Sequence, residues 1–188
     1  MNTLLTLHDG ITARVEKIGD LISPILARLI FASTLVLYFW KSGMTKLGEG
    51  LFGLFSPSIG AYSQIFPKKL EAAGYDVSQF GAFENTVVIA GTVAEFILPA
   101  LIVLGLLTRV AALGMIGFVV VQSLTDVFGH NATDMKTLGM VFDRFPDAVI
   151  LDQRLFWVFV LLVLVIKGGG ALSLDALLRK KLAGNDPY

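Results

Sequence analysis

Glu95 is the residue of this sequence best placed to do chemistry. It stands near the middle of an apolar run, residues 86–107, that carries no other charge. An ionised carboxylate at the centre of a bilayer costs about 2.5–3.5 kcal/mol on insertion scales. Glu95 must therefore be neutral, paired, or turned to a wet cavity. Its helical face includes Gly91, Thr92, Leu98, Pro99 and Ile102. Small residues there let a second helix or a ligand come close, and Pro99 leaves the Glu95 carbonyl without its usual helical donor. Arg28, inside another apolar run, is the expected partner. At about 1.5 Å rise per residue the two lie within about 8 Å in height, a gap that extended Arg and Glu side chains close. Arg28 and Glu95 then read as a candidate polar pocket for a ligand, or as a structural pair fixing helix packing. In a third reading Arg28 snorkels to the headgroups.

Trp40 and Lys46 mark a candidate outer mouth. Trp40 belongs to an interfacial aromatic belt or stacks on a quinone ring, and Lys46 attracts an anion. Asp126, His130 and Asp134 are spaced four residues apart. On a continuing helix they would share a face, as a candidate set for a divalent metal. Gly129 interrupts that helix, so a solvated helix end is the competing reading and no metal is expected. Cysteine is absent, and His8 and His130 are the only histidines. The sequence thus offers no ligands for an iron–sulfur cluster and no pair of intramembrane histidines for a b-type haem. No covalently bound cofactor is expected.

The elements that must position these residues follow from composition. The chain is 55% hydrophobic and only 16% charged, against about 25% charged for soluble domains. Lys plus Arg and Asp plus Glu are 15 each, so the net charge is zero. No basic excess exists to neutralise phosphates, and nucleic acid is not an expected partner. A bilayer core of about 30 Å takes about 20 helical residues to cross. Runs of that length lie at about 21–40, 86–107, 110–128 and 155–172. They predict an all-α, integral membrane four-helix bundle, one membrane domain over 1–188. None alternates in the manner of a membrane β-strand.

Ahead of the first run, Leu4, Leu7, Ile11, Val15 and Ile18 recur at helical spacing among charged residues, which predicts an amphipathic N-terminal segment at the interface. The long outer loop, 41–85, mixes glycine and proline with Phe52, Phe55, Tyr62, Phe66, Tyr75, Phe80 and Phe83. It predicts an ordered, partly helical cap with short helices near 58–66 and 67–73, its aromatics packed over the bundle mouth. Basic residues near the membrane at Arg109 and at Arg179, Lys180 and Lys181 place both termini in the cytoplasm of a multi-pass inner (cytoplasmic) membrane protein. Expected partners are the lipid bilayer and a protein subunit or a second copy of the chain.

The motifs resemble the DoxX family of small four-helix membrane proteins. Gly43, Lys46 and Leu47 match its G-x-x-K-L exit from the first helix. Glu95, then Gly105, Thr108 and Arg109, match its E…G-x-x-T-R pattern, and Gly170, Ser173, Leu174 and Asp175 match G-x-x-S-L-D. Arg28 falls early in the first helix, as in the family. The aromatic loop over 51–83 departs from the family's minimal, short-loop form. The resemblance implies a redox-associated, quinone-linked subunit of the cytoplasmic membrane, since the name-giving relatives are subunits of a thiosulfate:quinone oxidoreductase. It equally admits a non-catalytic anchor or assembly partner for a periplasmic redox or metal-handling protein. A small transporter is a third reading. Gly43, Gly105, Arg109, Ser173 and Asp175 are the structural matches.

Overall fold

The computed structural model describes residues 2–50 and 52–183, and side chains from residue 5 onward. Met1, Leu51 and Tyr188, and the Leu4 side chain, lie outside the described residues. Among the described residues the chain is helical and without strands. Three helices are long and apolar enough to cross a membrane, and a bent helix pair passes the same test when it is counted as one span, which gives a fourth crossing.

That first crossing is α1 (Asn2–Thr34) followed by α2 (Val36–Lys46), bent by 43° at the break between them. The cause is local. The Ser33 and Thr34 hydroxyls both donate back to the Ile30 carbonyl, at 3.0 and 2.7 Å, and such back-bonding bends helices. The helix resumes and reaches Lys46, so the crossing does not end near 40 and the loop begins later than the hydropathy implies. The first turns of α1 are continuous with the crossing, with Leu7, Ile11, Val15 and Ile18 exposed along it.

The cap follows as α3 (Ile59–Ile65) and α4 (Pro67–Ala72), the latter opened by a proline at its first position, where the missing N–H has no helical partner to lose. Tyr62 and Phe80 meet edge-on with ring centroids 4.9 Å apart. Together with Leu70 and Val88 they form a buried cluster that ties the cap to the next helix. Only part of the aromatic set packs: Phe52, Phe55, Tyr75 and Phe83 stay exposed.

The remaining crossings are α5 (Ala82–Leu104), α6 (Thr108–Leu124) and α7 (Arg154–Lys167). A π-helical turn, Thr125–Gly129, extends α6, and another, Val149–Gln153, precedes α7. The fourth crossing therefore runs Val149–Lys167, not 155–172. It stops where Gly168 and Gly170 adopt φ of +79° and +75°, conformations open to glycine but not to a continuing helix. A short helix, α8 (Leu174–Ala183), follows. The first crossing packs against α7 and α5, and α6 packs against both α5 and α7. Phe31, Phe39, Ile102, Met115, Leu161 and Leu164 fill the core between them.

Candidate functional site

The α5–α6 contact is built from small residues, and it opens toward the cap. A Cβ at Gly114 would lie 3.3 Å from Leu98, so the two helices touch there. Beyond that point Gly91 and Ala94 of α5 and Gly117 of α6 line a cavity of about 430 Å³. A Cβ at Gly117 would meet nothing within 4 Å. The size falls in the range of about 300–1,000 Å³ typical of small-molecule sites. Its walls are mostly apolar, with polar side chains at two levels.

At the deeper level Glu95 meets Lys46, not Arg28. The Lys46 ammonium donates to both carboxylate oxygens, at 3.0 and 2.9 Å. Ser42 closes the group: its hydroxyl donates to Glu95 at 2.9 Å and accepts from Lys46 at 2.7 Å. Glu95 is 2% exposed and Lys46 5%. Both line the cavity together with Ser42. Lys46 is thus neutralised and enclosed, and does not stand as a free cation at an open mouth. Ser42 sits one helical turn before Lys46 on α2, which puts both on the same side. The donors of the group are engaged within it, so an entering molecule meets the spare lone pairs of the carboxylate and draws a donor only by exchanging one of these bonds.

Nearer the cap, Gln64, Gln122, Asp126 and His130 complete the lining. His130 Nε2 lies 3.0 Å from the Gln64 carbonyl, which only accepts, so Nε2 carries the proton. Asp126 is held by Arg154, 2.6 Å away, and Arg154 also donates to the Ser123 hydroxyl at 3.0 Å. Asp134 instead accepts from the backbone N–H groups of Lys136 and Thr137 in its own turn. Asp126, His130 and Asp134 therefore have separate partners, and no metal-holding group of three or more such residues occurs among the described residues. Trp40 is not in the cavity wall; its indole N–H donates to the Phe96 carbonyl at 3.3 Å.

Arg28 works at the opposite end of the bundle. Its guanidinium donates to the carbonyls of Ile102 and Gly169, each at 3.0 Å, of Leu172 at 2.5 Å, and of Val103. Ile102 is seven residues beyond Glu95, about 10 Å along the helix, which is why the two charges do not meet. The carbonyls at the end of α5 and in the glycine turn need donors, and the five N–H groups of an arginine supply them.

The motif residues gather around this staple. Gly105 ends α5 with φ +68°, and a Cβ there would lie 2.5 Å from Ser173 and 2.9 Å from Arg28. Asp175 caps α6, accepting from the backbone N–H groups of Leu107 and Thr108 at 2.7 and 2.9 Å and from the Thr108 hydroxyl at 2.7 Å. Burial alone would raise the Asp175 carboxyl, but the hydrogen bonds from Thr108 and Leu107 outweigh it and hold the group below the usual carboxylate range. Ser173 accepts from the Ala176 N–H at 3.1 Å and starts α8. The exposed Arg109 lies beside Gly168. Gly43 belongs to the other end, where a Cβ would press to 2.7 Å from the Phe96 ring. Gly43 so lets α2 approach α5 closely enough for Lys46 to reach Glu95.

Ser42, Gln122 and Arg154 are site residues that the sequence reading passed over. Ser42 and Arg154 lie just outside the runs taken as spans, and Gln122 is an uncharged residue within one.

Fold and site define an all-α membrane bundle with a half-open cavity that ends on a buried ion pair. The DoxX family model matches residues 23–131, more than half of the chain, and the protein belongs to the DoxX family. The matched stretch contains Arg28, Lys46 and Glu95 and ends before Ser173 and Asp175. No curated protein and no solved structure matches the chain.

Proposed function

We propose that this chain is a quinone-linked subunit of the cytoplasmic membrane, with both termini cytoplasmic, and that the α2–α5–α6 cavity receives the ring of a lipid-soluble quinone. The observation that carries the reading is the joining of an apolar cavity of about 430 Å³ to the Ser42–Lys46–Glu95 group. Such a site suits a ligand that is apolar over most of its surface and oxygen-bearing at the ring. Lys46 or Ser42 would donate to a carbonyl oxygen by exchanging one of its bonds within the group, and Glu95 accepts from a hydroxyl. The same three residues hold a proton within the membrane and can pass it to or from the ligand. A quinone supplies two-electron, two-proton chemistry when bound. With no cysteine and two histidines in the sequence, electrons would come from a partner subunit.

The second reading, a non-catalytic anchor for a partner protein, is favoured by one observation. Phe52, Phe55, Phe83 and Phe142 each stand exposed outside the bundle core, and large exposed aromatics are available to a docking partner. Purification in mild detergent, followed by solvent extraction and mass analysis, separates the two. The first reading expects quinone in amounts comparable to the protein. A co-purifying protein with no quinone would replace it with the second.

A further inference from the structure

Gln122 is placed on α6 in the wall of the cavity. Its Nε2 lies 2.8 Å from the Tyr38 hydroxyl, and its Oε1 is buried without a hydrogen-bond partner. A buried carbonyl oxygen left unpaired is costly, so a donor at that place would be welcome. Tyr38 fixes the amide without fixing its sense. A phenol both donates and accepts, and an amide oxygen and nitrogen exchange places by a half-turn about the last side-chain bond. Gln122 can therefore show the cavity its oxygen or its NH₂ and keep a hydrogen bond to Tyr38 either way.

The height of Gln122 is set by the Leu98–Gly114 contact. Glu95 lies three residues toward the cap from that contact, and Gln122 lies eight. At about 1.5 Å per residue, Gln122 is about 7.5 Å nearer the cap than Glu95. Between the two levels the wall is apolar, with Ala94, Phe118 and Val121. A flat ring with an oxygen at each end fits that arrangement.

We infer that Gln122 is a ligand-facing residue that meets the second ring oxygen, giving its NH₂ to a carbonyl in the oxidised ligand and its Oε1 to a hydroxyl in the reduced one. This rests on the cavity being the ligand site proposed above. It adds that the site holds both oxidation states with similar affinity, because the amide adapts to each.

The test is equilibrium binding of a short-chain benzoquinone, and separately of its hydroquinone, to the full chain in detergent. Trp157 is a convenient fluorescent reporter, since its ring lies 5.2 Å from that of Tyr38. The unmodified protein is expected to bind the two forms within about threefold of each other. Gln122→Met keeps the volume and removes the amide, and should weaken both forms by about five- to tenfold. Gln122→Asn, which withdraws the amide by one methylene, should act in the same direction and serves if the first variant folds poorly. Unchanged affinities in these variants, or a loss confined to one oxidation state, would overturn the role of Gln122. Failure of the unmodified chain to bind either form would overturn the ligand site itself.

Discussion

Glu95 and Lys46 are almost fully enclosed, and among the described residues Ser42 is the only other side chain bonded to either. Removing one member of such a pair leaves a buried charge uncompensated, at about 3–5 kcal/mol, while replacing both with apolar residues is often close to neutral. Glu95→Leu and Lys46→Met are thus each expected to cut folded yield and thermal stability sharply, and the double variant to recover most of the loss. Arg28→Gln combined with Glu95→Gln should be additive within about 0.5 kcal/mol, because they share no partner. Strong coupling between Arg28 and Glu95 would contradict the assignment. The need of Glu95 for a partner was legible from its depth in an apolar run. Which cation answers it was not, because the apolar run ends near residue 40 and the bend at Leu35 leaves no hydropathy signal. Asp175 supplies a pH test. Its carboxyl is held low by the α6 cap, so its contribution is present above the ordinary carboxylate pKa. That contribution is lost as pH falls below about 4 through the folded value. Asp175→Asn should lower stability at neutral pH and flatten the acid side of a thermal-unfolding profile against pH.

At the scale of elements, two glycines with opposite surroundings make opposite predictions. Gly105 has φ +68° and no room for a Cβ, with Ser173 and Arg28 against it. Gly105→Ala should destabilise by more than about 1 kcal/mol, seen as a lower unfolding temperature. Gly117 lies inside α6 with open space before it, so Gly117→Ala should stabilise by about 0.5–1 kcal/mol through helix propensity. A lower unfolding temperature for Gly117→Ala would show that the space is not free. The crossings were legible because twenty apolar residues leave few alternatives, and α4 was legible from Pro67 and the Gly74 that follows it. The exposure of Phe52 and Phe83 was not legible, since a loop's own sequence does not say which of its aromatics find the bundle. The Gly105, Thr108 and Asp175 motifs marked a turn in sequence. That the turn is locked by Arg28 depends on three segments far apart in the chain.

For the whole molecule, with the bent pair counted as one crossing, the start of α1 and the end of α7 fall on the same side and the cap on the other. With the termini cytoplasmic, as proposed, reporter fusions after α8 that are active only in the cytoplasm should give signal, and the same reporters in the cap should be silent. The reverse pattern would invert the orientation proposed here. The bundle separates its two polar centres: the Arg28–Asp175 end fastens turns, and the Lys46–Glu95 end opens on a cavity. The central claim is that this cavity holds a ring-bearing, lipid-soluble ligand, and Gly117 allows it to be closed without touching a polar group. The decisive measurement is the saturable thermal stabilisation of the purified chain by a short-chain benzoquinone, compared between the unmodified protein and Gly117→Leu. The account predicts clear stabilisation of the unmodified protein. It predicts that Gly117→Leu is at least as stable without ligand, with affinity reduced by at least about tenfold, the loss of about 1.4 kcal/mol of binding free energy. Equal stabilisation of both proteins, or none of either, would contradict it.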